Sequence, residues 1–187
     1  MASSAEQDLF DPAKLPDGSG MEIAVVTAEW NSEITHALRD ACLYTLVECG
    51  VPESSITSIM VPGAFELPIG AKMLLEHRLP DAVICLGCVI KGETRHDDYI
   101  ASAVAKGIMD VSLETDTPVI FGVLTTENEA QARDRAGGKH GNKGVEAAIT
   151  AVKMVTLAME LIETSQTFEL GDDLDDVFDE EGEDEDY

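Results

Sequence analysis

The stretch Asp81-Ala82-Val83-Ile84-Cys85-Leu86-Gly87 is apolar almost throughout, with no alternation between apolar and polar positions. A strand of that kind is buried on both faces, as happens when helices cover each side of a parallel sheet. Ala24-Val25-Val26-Thr27-Ala28 and Val119-Ile120-Phe121-Gly122-Val123 read the same way. Working outward, β-rich runs at 22–28, 56–61, 81–87 and 118–124 are each followed by a segment of helical period. Those segments are 32–48, 66–77, 97–113 and 130–135, with a longer helix at 144–164. In the last helix Val145, Ala148, Ile149, Val152, Val155, Met159 and Ile162 recur at spacings of three and four, one apolar stripe that covers a sheet face. The beat predicts an α/β fold, a three-layer α/β/α sandwich on a central, mainly parallel four-stranded sheet.

The 187 residues carry 12 Lys plus Arg against 37 Asp plus Glu, a formal net charge of −25. Nucleic acid is excluded as a general partner, because its phosphates bind through basic side chains that displace counterions. Acid is concentrated at the end: 12 of the 37 acidic residues fall in 169–187, and no Lys or Arg follows Lys153. Crowded like charges with few apolar residues predict a disordered tail over 165–187. The domain proper is expected at 21–164, preceded by an N-terminal arm at 1–20 that contains Pro12 and Pro16. No apolar run approaches the roughly 20 residues of a membrane-spanning helix. The first 20 residues lack the basic-then-apolar layout of a signal peptide, so no membrane and a cytoplasmic location are expected. Cys42, Cys49, Cys85 and Cys88 lie in apolar segments and read as buried thiols. Cys85-Leu86-Gly87-Cys88 is formally a CxxC, but no second pair accompanies it, so no metal site is expected.

Ligands of open parallel sheets sit beyond the carboxyl ends of the strands, which points to the loops after each run. Trp30, the only tryptophan, follows the first strand and Phe65 the second, two aromatics suited to a planar ring. After the third strand, Gly92 frees the backbone, Thr94 offers a hydroxyl, and His96 stands beside a helix start opened by Asp97 and Asp98. An imidazole there suits acid and base work at neutral pH, next to amides that attract an anion. A second cluster, Arg133 to Gly144, gathers 4 of the 12 basic residues among glycines. It reads as a phosphate-binding segment, or else as a basic turn that pairs with acidic neighbours.

Four strings in order, Val61 to Pro68, Gly92 to His96, Phe121 to Asn128 and Arg135 to Gly144, resemble the 6,7-dimethyl-8-ribityllumazine synthase family over roughly residues 21 to 160. The resemblance implies a flavodoxin-like fold and a step of riboflavin biosynthesis without a cofactor. That step condenses 5-amino-6-(D-ribitylamino)uracil with 3,4-dihydroxy-2-butanone 4-phosphate. It implies that Trp30, Asn31, Ala64, Phe65, Glu66, Cys88, Val89, Ile90, Phe121 and Lys143 bind the pyrimidine and its ribityl chain. Glu93, Thr94 and Arg135 would bind the butanone phosphate, and His96 would be catalytic. Two positions depart from the family pattern: Trp30 replaces a more common Phe, and Asp97 stands where an aromatic or apolar residue is frequent. The family also implies a homo-pentamer whose active sites lie between neighbouring chains. The segment Gly137 to Gly144, which lacks an insertion found in pentamer-only relatives, implies an icosahedral shell. The arm at 1–20 would be partly ordered or swapped onto a neighbour. The acidic tail reads as a solvating segment, or else as an electrostatic lure for a basic partner such as riboflavin synthase or other cargo. The rival readings are an archaeal-type riboflavin synthase and a non-catalytic shell or carrier protein for flavin precursors.

Overall fold

The computed structural model describes residues 17 to 175, with side chains described as far as 164. Four strands, β1 (Ile23–Ala28), β2 (Ile56–Val61), β3 (Ala82–Ile90) and β4 (Val119–Thr126), form one sheet in the order β2-β1-β3-β4. Every neighbouring pair is parallel, with Val25 opposite Ser58 and Ile84, and Cys88 opposite Leu124. The helices are α1 (Ser32–Glu48), α2 (Leu67–Arg78), α3 (His96–Thr115), α4 (Glu129–Asp134) and α5 (Lys143–Asp175).

The two-sided burial inferred from the strands is realised residue by residue. Ile23, Val25, Ile84 and Leu86 face a core built with Leu38 and Leu46 of α1 and with Ala148 and Val152 of α5. Their neighbours Ala24, Val26, Val83 and Cys85 face the opposite core, built with Leu67 and Leu74 of α2 and Val104 and Ile108 of α3. Alternate side chains of one strand thus feed two cores, the arrangement of a three-layer α/β/α sandwich. Each fully buried Leu or Ile, such as Leu38 or Ile84, contributes roughly 1.5–3 kcal/mol relative to exposure.

Three differences from the sequence-based expectation bear on function. Strand β3 runs past Gly87 to Ile90, so Cys88, Val89 and Ile90 belong to the strand and not to the loop after it. Gly87 does not interrupt the strand; an added Cβ would lie 3.0 Å from Leu67 Cδ1, so its smallness serves packing. The segment after α4 contains a small antiparallel ribbon, β5 (Ala136–Gly138) paired with β6 (Gly141–Asn142). Gly137 and Gly141 adopt positive φ, 110° and 78°, which lets so short a ribbon turn. Finally, α5 runs to Asp175, past the expected end at Thr164, through residues such as Glu, Leu and Gln that favour helix.

The chain divides into two compact units, one ending at Val155 and one beginning at Thr156. Within the expected stripe of α5, Ala148, Ile149, Val152 and Val155 are buried, whereas Met159 and Ile162 of the second unit are exposed. Most of the predicted N-terminal arm, residues 1 to 16, and the end of the predicted disordered tail, 176 to 187, lie outside the described residues. Among the described residues no helix is long and apolar enough to cross a membrane, and no cluster of His, Cys, Asp and Glu could hold a metal ion.

Candidate active site

The carboxyl ends of β1, β2 and β3 open onto one cavity of about 370 Å³. Its position follows from topology. The chain leaves β1 for β2 on one side, while β3 and β4 continue the sheet on the other, so a crevice forms where the order reverses. Trp30 and Asn31 line it from β1, Gly63 to Glu66 from β2, and Cys88 to Ile90 from β3. Gly92, Thr94, His96, Asp97 and Ile100 complete it from the β3–α3 loop and α3.

The two aromatic walls are open to solvent in the single chain: Trp30 is 75% exposed and Phe65 58%. Their backbones are nonetheless held. Glu29 N–H donates to Val61 O at 2.8 Å and Trp30 N–H to Pro62 O at 3.3 Å, extending the β1–β2 ladder into the loops. Asn31 takes the left-handed conformation, φ 58° and ψ 46°, before α1, and its carbonyl accepts from the N–H groups of Ile34 and Thr35. Its side-chain Nδ2 donates to Cys88 O at 2.9 Å.

The floor is apolar. Cys88 is buried, and burial pushes its thiol up from 9.0 to about 11, with the Glu129 charge adding in the same direction. Cys85, deeper in β3, is pushed up to about 12 by burial alone. Both stay protonated at neutral pH, so neither serves as a thiolate nucleophile. At the rim, His96 is the first residue of α3, followed by Asp97 and Asp98 in the first turn. The β3–α3 loop is closed at its start by Lys91 N–H donating to Thr126 O at 2.8 Å. Lys91 Nζ pairs with Glu127 at 2.6 Å, and that hydrogen bond raises the Lys91 pKa.

Phe121, Arg135 and Lys143 do not line this cavity within one chain. Phe121 is half-buried against the α2–α3 core. Arg135 precedes the ribbon, where one guanidinium nitrogen donates to His140 O at 2.7 Å and another pairs with Glu146 Oε1 at 2.7 Å. Lys143 Nζ pairs with the other oxygen of Glu146 at 3.1 Å. Arg133 pairs with Glu33 and with Glu129, and these bonds raise its pKa. Three cations of the basic cluster are therefore already matched by carboxylates. The ribbon is tied to α1 by Asn142 Nδ2 donating to Ala37 O at 3.2 Å. At Gly144 a Cβ would fall 1.9 Å from Leu38 O, so only glycine fits where α5 passes α1.

Of the residues expected from sequence, Trp30, Asn31, Ala64, Phe65, Glu66, Cys88, Val89, Ile90, Thr94 and His96 come together around one cavity. Glu93 stands in the same loop without lining it. Ile100 and Glu146 escaped the sequence reading. Ile100 lies four residues after His96, hence on the same helix face, and Glu146 lies three after Lys143; those spacings are the only signal either carries.

A family model described as 6,7-dimethyl-8-ribityllumazine synthase matches residues 20–159. The chain is 53% identical over 154 residues to a protein of that name from Cytophaga hutchinsonii, covering 82% of this chain and 97% of that one. It is 49% identical over 158 residues to one from Parabacteroides distasonis, covering 83% and 99%. One from Flavobacterium johnsoniae is 45% identical over 151 residues, covering 81% and 80%.

Proposed function

This chain belongs to the 6,7-dimethyl-8-ribityllumazine synthase family, and from that premise we propose how its residues divide the work. It is a transferase of riboflavin biosynthesis that makes 6,7-dimethyl-8-ribityllumazine from 5-amino-6-(D-ribitylamino)uracil and 3,4-dihydroxy-2-butanone 4-phosphate. The amine adds to the ketone and loses water to give an imine. Loss of a proton then expels phosphate, and the ribityl-bearing nitrogen closes the ring with loss of a second water. Carbon oxidation levels balance within the two substrates, so the residues need only orient them and move protons.

The observation that carries this division is one cavity in which two exposed aromatic walls face an imidazole at the first residue of a 20-residue helix. The pyrimidine lies between Trp30 and Phe65, with Ala64, Glu66, Cys88, Val89 and Ile90 around the ring and ribityl chain. The phosphate sits at the α3 N-terminus, held by the loop at Glu93 and Thr94, where unpaired helix amides favour an anion. His96 takes and returns the protons of imine formation and elimination.

Phe121, Arg135 and Lys143 act on the cavity of a neighbouring chain, so that each site is shared within a homo-pentamer, and pentamers assemble into an icosahedral shell. In support, those three residues stand outside the cavity of their own chain. Apolar Ile69 and Met73 of α2 and Met109 and Leu113 of α3 are more than half exposed, a surface that suits a partner chain. The cytoplasm is the compartment this reading assigns, because four buried cysteines persist as thiols. Mixing the purified protein with both substrates tests the whole: lumazine fluorescence must grow with release of phosphate. Consumption of added lumazine, or no change, overturns it. Light scattering checks the assembly, and pentamers alone would remove the shell.

A further inference from the structure

We infer that Asn31 is a positioning residue, whose side chain clasps the end of β1 to the end of β3 and thereby fixes the Trp30 ring over the cavity. The inference deepens the functional reading above and rests on it for the identity of the substrate.

Three observations converge. Trp30 is 75% exposed, so packing within the chain does not set the place of its ring; the backbone must. On the β2 side that backbone is held by the bonds from Glu29 and Trp30 to Val61 O and Pro62 O. On the β3 side, Asn31 Nδ2 donates to Cys88 O at 2.9 Å. The second observation is conformational. Asn31 has φ 58°, a region that non-glycine residues visit at a cost and that asparagine tolerates better than most. The third is what Asn31 does not do. It occupies the N-cap position of α1, where an asparagine side chain ordinarily accepts from a helix N–H, yet it makes no such bond and spends its amide on Cys88 instead.

The acceptor matters too. Cys88 lies in β3, opposite Leu124 of β4, with its side chain in the buried floor, so the carbonyl that receives the Asn31 amide belongs to the rigid part of the cavity. The clasp therefore spans the carboxyl ends of three adjacent strands, β2 through Val61 and Pro62, β1 itself, and β3 through Cys88. It sets the distance between an exposed indole and the floor it faces.

Substitutions separate the parts of this device. Asn31→Asp keeps size and tolerance of the left-handed region but turns an oxygen toward the Cys88 carbonyl. Asn31→Gly keeps the backbone conformation and removes the clasp, which guards against mere misfolding. Trp30 is the only tryptophan, so intrinsic fluorescence of the full chain reads its surroundings directly. In the ligand-free protein both variants should shift the emission and change acrylamide quenching. KM for the ribitylaminouracil should rise roughly two- to tenfold, the worth of one neutral hydrogen bond. KM for the butanone phosphate and kcat should stay within about twofold. Unchanged ligand-free fluorescence in both variants would overturn the clasp, even if KM rose, because Asn31 would then be only a ligand. A kcat that fell with KM unchanged would also overturn it. If wild-type protein made no lumazine, the functional reading would fail while the fluorescence arm still judged the clasp.

Discussion

Trp30 and Phe65 at the mouth of the cavity are placed through their backbones, with side chains open to solvent. Arg135 and Lys143, which flank the ribbon, are placed through their charged heads, both gripped by Glu146. The first region is positioned by strand geometry and responds to changes of shape. The second is positioned by ion pairs and responds to changes of charge and to salt, since partly exposed pairs of this kind are screened. A site assembled from both, as proposed, takes its shape from the sheet of one chain and its anion grip from the ribbon of the next.

His96→Ala should lower kcat by about 10²-fold or more while leaving both KM values within a few-fold, the mark of a lost proton-transfer group. Steady-state rates across pH check this, and full turnover would move proton transfer to another residue. Arg135→Ala should raise KM for the butanone phosphate roughly 10- to 100-fold, the range of a charge-assisted hydrogen bond, with a smaller effect on the ribitylaminouracil. Equal effects on both substrates would merge the two regions into one. A next test concerns the floor of the mouth. Cys88 is raised in the folded state, so its contribution to stability is fully present below 9.0 and is lost as pH rises from 9.0 through about 11. At ~1.4 kcal/mol per unit the two units amount to about 3 kcal/mol. Urea unfolding at pH 8 and 10.5 should show a flatter decline in Cys88→Ala than in wild type. The smallest change is expected for Trp30→Phe, which keeps an aromatic wall: kcat/KM should stay within about threefold, and a larger loss would mean that the indole does more than stack.

The fold was legible because strands such as β1 and β3, buried on both faces, cannot disguise their composition, and the α5 stripe reads directly as far as Val155. Strand ends were less so. Gly87 looks like punctuation, and only the packing of Leu67 against it reveals that β3 continues to Ile90. The ribbon left no trace, because Ala136-Gly137-Gly138 has little strand propensity and is shaped by neighbouring bonds, among them Lys143 N–H to Arg135 O at 2.9 Å. Within the site, residue types that stand out in a chain, a lone Trp or a His beside a helix start, were found from sequence. Glu146 was not, since one carboxylate among 37 carries no mark until the structure sets it between two cations.

The close approach of α5 to α1 at Gly144 has a consequence for anyone who would redesign this protein. A codon library at that position should return a single amino acid, because any side chain there would collide with the Leu38 carbonyl oxygen.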